Sequence, residues 1–232
     1  MATSMTNITS ETIQDTIQFW SAKAGYEISE GEAAEIILNL VEYFDVLSDM
    51  ANSTVTEIGK KLIDEATFTK VGAIDRIVPH VPGLYCVRLV DGAELPERYQ
   101  HELKKQNSRL IYIGKAERSS LHKRFLQQEL RAKGHGTFFR SVGAMLGYTP
   151  LPGSLKDKSN QNNYTFSKTD KFAIINWMNS NFEASWVAFE GPFLVEKYLI
   201  RMHSPLLNID DNPQCLTLLK NDRDRCRQIA LK

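Results

Sequence analysis

Two short runs, Gly83-Leu84-Tyr85 and Tyr112-Ile113-Gly114, constrain this chain more than any other feature. Each is set among strand formers. Leu84-Tyr85-Cys86-Val87-Arg88-Leu89-Val90 is preceded by Pro82-Gly83 and closed by the turn dipeptide Asp91-Gly92, and Leu110-Ile111-Tyr112-Ile113-Gly114 follows a polar segment from Glu94 to Ser108. β-Branched and aromatic side chains fit a pleated, half-buried surface, whereas Pro, Gly and Asp interrupt one. The runs are therefore predicted to pair as an antiparallel hairpin with a long loop over residues 91–108. A helix carrying Arg124, a later helix carrying Glu196, and Asn208 beyond it follow in order. A tyrosine in a strand is by itself a packing residue; the ordered set is what carries meaning.

The rest of the chain reads as helices around that hairpin. Ser29-x-x-Glu32 is a capping-box pattern ahead of Ala33, Ile36, Ile37, Leu40, Val41, Phe44, Leu47 and Met50, mostly three and four residues apart, which predicts an amphipathic helix. A second box, Thr54-x-x-Glu57, predicts a separate, shorter helix through about Glu65. The first ten residues, rich in Thr, Ser and Asn, predict a frayed terminus. Residues 1–80 are thus read as an acidic helical extension before a domain over 81–232. Within that domain Ser119 or Ser120 is predicted to cap a helix through Leu121, Phe125, Leu126 and Leu130. Residues 134–168, rich in Gly, Pro, Ser and Asn, read as a long insertion, mobile or ligand-contacting, with at most a short helix near 141–146. Thr169 or Asp170 is predicted to cap a helix carrying Phe172, Ile174, Ile175, Trp177 and Met178. A third strand is expected over 184–189, and Gly191-Pro192 opens the helix of Phe193, Leu194, Tyr198, Leu199 and Met202. The fold class is α/β (α+β): a small mixed or antiparallel three-stranded sheet flanked by helices, with an N-terminal helical extension.

Composition narrows the function. With 42% apolar and 24% charged residues in 232, the chain can build one substantial core beside a smaller extension. No run approaches the ~18 apolar residues of a membrane span. Residues 1–16 are polar and acidic and lack the layout of a signal peptide, so a cytoplasmic location without a membrane partner is expected. Cys86, Cys215 and Cys226 are odd in number and far apart, which argues for reduced thiols rather than disulfides or a zinc ribbon. The formal net charge of zero hides an asymmetry. Residues 1–80 hold 13 Asp and Glu against 5 Lys and Arg, whereas residues 98–140 hold 11 Lys and Arg against 3 Asp and Glu. The basic block surrounds Tyr112, where it can follow a nucleic-acid backbone or be a solvated face.

Hydrolysis of a phosphodiester needs a base for water, a cation to offset charge on the phosphate, and a stabiliser for the departing oxygen. Tyr, Glu and Arg or Lys cover all three. At this point residues 82–213 resemble the GIY-YIG nuclease family. Tyr112-Ile113-Gly114-Lys115-Ala116 with Leu121-His122-Lys123-Arg124-Phe125 is the most specific stretch, and Glu196 with Ser204-Pro205-Leu206-Leu207-Asn208 completes it. The resemblance implies a divalent-metal-dependent DNA endonuclease. Tyr85 would be the general base, helped by Tyr112 and Lys115; Glu196 would hold Mg2+ or Mn2+, and Arg124 would bind the phosphate. It also implies that Lys115, His122, Lys123, Arg124 and Asn208 touch DNA, with Asn208 either doing so or bracing the site through nearby backbone. A free phenol titrates near pH ~10, so Tyr85 needs its anion favoured. Some family members carry a histidine one helical turn after the arginine, where this chain has Gln128; His122 or His135 is the alternative, or no histidine is required. The rival readings are a non-catalytic nucleic-acid-binding module that keeps the fold, and an acidic extension that serves as a protein-docking surface, a lid or a structural brace.

Overall fold

A computed structural model describes residues 9–63, 68–191 and 193–232, with the side chains of 42–52 outside that description. The chain divides into two compact units, Met1–Thr54 and Val55–Lys232. In the first, α1 (Ser10–Ala24) starts where the Thr9 hydroxyl accepts from the Thr12 N–H and ends at Gly25, whose φ of 77° suits glycine. α2 (Glu30–Ile63) starts as its capping box predicts. The Glu32 N–H donates to Ser29 Oγ at 3.2 Å, and the Glu32 carboxylate accepts from the Ser29 N–H and hydroxyl, each at 2.7 Å. The second box opens nothing: Thr54 lies inside α2, which runs unbroken for 34 residues. Ala51-Asn52-Ser53 contains neither Gly nor Pro, so the backbone ladder continues and outcompetes the local side-chain option. Of the apolar stripe, Ala33 is buried, Ile36, Ile37 and Val41 are half-buried and Leu40 is exposed. Phe44, Leu47 and Met50, and most of the frayed terminus expected over the first ten residues, fall outside the described residues.

The second unit is built on a four-stranded antiparallel sheet of β1 (Thr69–Lys70), β2 (Gly83–Leu89), β3 (Leu110–Ala116) and β4 (Phe182–Ala188), in the order β1-β4-β2-β3. The three seven-residue strands are the three that were expected. The fourth, β1, is two residues long, too short for any alternation to betray it, and it lies in the stretch read as helical extension. Side chains alternate between the two faces of the sheet. Tyr85, Val87 and Leu89 enter one core, and Leu84 and Cys86 enter another with Val55, Ile58 and Leu62 of α2.

The described residues of the chain form nine helical segments in all. Residues 91–108 are not a loop: α3 (Glu97–Gln106) spans them, burying Tyr99 and Leu103 one turn apart, and sits at the Leu89–Leu110 end of the hairpin. A π-helix (His122–Leu130) follows β3. Nor is 134–168 a mobile excursion, since α4 (Thr137–Met145) buries every residue from Phe138 onward and Leu155, Tyr164 and Phe166 join the same core. α5 (Lys168–Asn181) is capped by Ser167 rather than Thr169 or Asp170, its hydroxyl accepting from the Asp170 N–H at 3.0 Å. α6 (Leu194–His203) buries Val195, Leu199 and Ile200. The last helix, α7 (Thr217–Leu231), was not anticipated. Its buried positions include Asp222 and Arg223, so an apolar period is hard to see. Asp222 accepts from Arg98 at 2.6 Å and Tyr99 at 2.7 Å, which fastens α3 to α7. No helix of the described residues is long and apolar enough to cross a membrane.

Candidate active site

The site grows from β3, an edge strand of the sheet. Tyr85 pairs with Gly114 and Val87 with Tyr112, so both tyrosines stand on one face with ring centroids 6.3 Å apart. Tyr85 lies flat on Phe125 of the π-helix at 4.4 Å and is 1% exposed. A Cβ on Gly114 would come within 2.5 Å of the Tyr85 ring and hydroxyl, and one on Gly83 within 2.3 Å of the Val187 carbonyl and 2.7 Å of Leu121. The glycines of both motifs are thus steric requirements, Gly114 because the Tyr85 ring crosses over β3 where a side chain would stand, and Gly83 because the backbone of β4 and Leu121 close on it.

The π-helix supplies the cation. The Ser120 hydroxyl accepts from the Lys123 N–H at 3.1 Å, as the predicted cap, while Ser119 Oγ is buried at the cavity wall without a hydrogen-bond partner among the described residues. Arg124 donates from Nη1 to Gln128 Oε1 at 3.0 Å and to the His135 carbonyl at 3.3 Å, and its Nη2 lies 2.8 Å from Glu129 Oε1. In a π-helix the hydrogen bonds run from i to i+5, which places Glu129 one turn from Arg124. Glu129 is fully buried, and its second oxygen accepts from the N–H groups of Phe138 (2.8 Å) and Phe139 (3.4 Å) at the start of α4. Burial raises the Glu129 carboxyl above its ordinary range, opposed by Arg124 and those two N–H groups. Gln128 therefore orients Arg124 from the position where the resemblance expects histidine. The imidazole of His135 is exposed, and only its carbonyl reaches Arg124.

The carboxylate comes from the first turn of α6. Glu196 Oε2 stands 3.3 Å from Lys115 Nζ, and burial raises its carboxyl above the usual range, with Lys115 opposing. Asn208 braces the sheet edge: its Oδ1 accepts from the Ile113 N–H and its Nδ2 donates to the Ile113 carbonyl, both at 2.9 Å. Leu206 and Leu207 donate to the carbonyls of Leu110 and Ile111, so residues 206–208 cover the outer edge of β3. Unpaired strand edges are liabilities, and here the cover also holds the tyrosine strand in place.

Tyr85, Tyr112, Lys115, Arg124 and Glu196 line one open cavity of about 310 Å³. Tyr112 and Glu196 also line an adjoining cleft of about 640 Å³, together with Asn208, Arg140 and Arg223. His122 and Lys123 do not line either; His122 stacks on His80 with ring centroids 4.0 Å apart and Lys123 is exposed. Burial holds the Tyr85 hydroxyl well above the ordinary phenol range, Glu129 and Tyr112 add to the rise, and Arg124 opposes it; Tyr112 is shifted the same way, burial first. Glu129, Arg140, Arg223 and Ser119 were not singled out from the sequence as site residues. Only the five-residue spacing of Arg124 and Glu129 offered a signal, and it has meaning only in a π-helix.

On an antiparallel sheet, two tyrosines, a half-buried arginine and a helix-borne glutamate thus surround one cavity, a set of groups of the kind that phosphodiester chemistry calls for. The model of the GIY-YIG catalytic domain matches residues 83–228, and the chain belongs to that family. Neither the curated proteins nor the solved structures contain a match.

Proposed function

We propose that this domain is a divalent-metal-dependent endonuclease that hydrolyses DNA phosphodiester bonds by direct attack of water. The supporting observation is the convergence of Tyr85, Tyr112, Lys115, Arg124 and Glu196, drawn from two strands and two helices, on one cavity. The donor set fits a single hydrated ion: a small hard cation such as Mg2+ keeps most of its waters and needs one or two carboxylates, and Glu196 offers one. Bound there, Mg2+ or Mn2+ would offset charge on the phosphate and acidify water. Lys115, now paired with Glu196, is free to turn to a phosphate oxygen once that carboxylate is otherwise engaged.

In this reading Tyr85, its own proton first released to solvent, acts as the phenolate that takes the proton from the attacking water as the new P–O bond forms and the bond to the departing oxygen breaks. Burial makes formation of that phenolate uphill, and the guanidinium of Arg124 is the chain's own group that offsets it. Tyr112 holds a water or phosphate oxygen from the same face. Asn208 acts through the backbone of Ile113 rather than on the substrate. The basic residues around 98–140, His122 and Lys123 among them, meet the flanking backbone.

The test is nicking and linearisation of supercoiled plasmid with Mg2+, Mn2+ or EDTA, beside Glu196→Ala and Tyr85→Phe proteins shown by circular dichroism to be folded. Metal-dependent cutting that both variants lose supports the reading. A wild-type protein that binds DNA but cuts no plasmid, branched or single-stranded substrate would replace it with a non-catalytic binding module.

A further inference from the structure

The cleft beside the catalytic cavity holds two arginines that the hydrolysis does not use. Arg140 projects from α4 and Arg223 from α7, and they are 6% and 8% exposed. Neither has an ion-pairing carboxylate among the described residues. Arg223 Nη1 donates to the Ser141 hydroxyl at 3.2 Å. Arg140 Nε has no hydrogen-bond acceptor among the described residues, and the aromatic face of Tyr164 lies 5.9 Å from its guanidinium carbon. Burial lowers Arg140 to about 10 and the charge of Arg223 adds to the fall, while Tyr164 and, without an ion pair, the Glu129 carboxylate oppose it.

The aspartates that line this cleft do not relieve the strain. Asp224 pairs with Arg227, Asp211 with Lys197 at 3.2 Å, and Asp210 is exposed. A buried cation left without a counter-charge is unfavourable, and two facing each other are worse. A cleft wall that keeps them is complementary to an anion that presents several acceptor oxygens, as phosphate does to guanidinium groups. Lys220, exposed on the same wall, adds a third positive group. Tyr112 and Glu196 line both spaces, so the cleft borders the cavity directly.

We propose that Arg140 and Arg223 form a subsite for an internal backbone phosphate of the DNA, next to the linkage that is cut. Its placement relative to the cut rests on the nuclease reading; its anion chemistry does not. A terminal phosphate has the same chemistry, so the substrates must tell the two apart.

The experiment measures binding of closed circular DNA, which has only internal linkages, to the full chain in EDTA across a salt series. Wild type is compared with Arg140→Gln, Arg140→Lys, Arg223→Gln and the exposed Lys220→Gln. Each lost phosphate contact lowers the slope of log K against log salt by about one. The expected result is that loss in the three glutamine variants and partial recovery in Arg140→Lys. If Arg140→Gln fails to fold, Arg223→Gln and Lys220→Gln decide, and unchanged slopes in both overturn the subsite. A dependence on Arg140 and Arg223 seen only with 5′-phosphorylated oligonucleotides, and absent with circular DNA or 5′-hydroxyl oligonucleotides, overturns the internal assignment. Wild-type plasmid cleavage is scored separately. Its absence alongside arginine-dependent slopes removes the nuclease reading and leaves the subsite, whereas cleavage with unchanged slopes removes the subsite alone.

Discussion

Arg124 and Arg140 stand on successive elements of one core and meet opposite electrostatic treatment. Arg124 has the Glu129 carboxylate 2.8 Å away, with Gln128 and the His135 carbonyl completing its contacts. Arg140, more deeply buried at 6% exposure, makes no ion pair among the described residues, and the charge of Arg223 acts against it. A charge that the protein neutralises itself belongs to the frame of the site, because its direction is set before any ligand arrives. One left unneutralised at a cleft wall makes the folded state less stable and reserves that attraction for a partner. Preorganisation of the first kind suits chemistry at a fixed point; the second kind suits binding.

The comparison breaks most sharply at Glu129. Glu129→Ala leaves the half-buried Arg124 guanidinium without its carboxylate and removes the acceptor of two N–H groups at the start of α4, so a loss of ~3–5 kcal/mol is expected in urea unfolding, with cleavage abolished. Gly114→Ala drives a methyl into Tyr85 and should cost ~1–3 kcal/mol by the same measurement, with a fall in plasmid cutting out of proportion to the stability lost. Arg140→Met is expected to act in the opposite direction. Removal of an unpaired buried charge stabilises the fold by ~0.5–2 kcal/mol while DNA binding weakens, and a clear destabilisation would place Arg140 with Arg124 as a framework residue.

The smallest effect sharpens the contrast. The Tyr85 phenol is raised, so its anion is scarce at neutral pH and grows up to tenfold per pH unit below its pKa; cleavage limited by that base rises with pH accordingly. Arg124 is among the groups that lower Tyr85 and Arg140 is not. Arg140→Met should therefore leave the shape of the pH–rate profile unmoved even as its height falls, whereas Arg124→Lys should displace it. A flat wild-type profile from pH 7 to 9 would remove Tyr85 from the base role.

The amino-acid sequence by itself determined what is local. Runs of β-branched and aromatic residues and their terminal glycines marked β2, β3 and β4, since period-two alternation and turn chemistry act over a few residues. The capping box at Ser29 specified the start of α2. The order of Tyr85, Tyr112, Lys115, Arg124, Glu196 and Asn208 marked the candidate site, because each residue type brings a needed piece of chemistry. Tertiary structure alone decided whatever depends on partners distant in the chain. Thr54 was a plausible cap until the ladder of α2 ran through it, and the polar look of 91–108 hid α3, whose Tyr99 finds Asp222 across the core. Glu129 gained its meaning from π-helical spacing. Arg140 and Arg223, 83 positions apart, became one feature only when α4 and α7 packed together, and no period along the chain can report a charge whose counter-charge the fold leaves out.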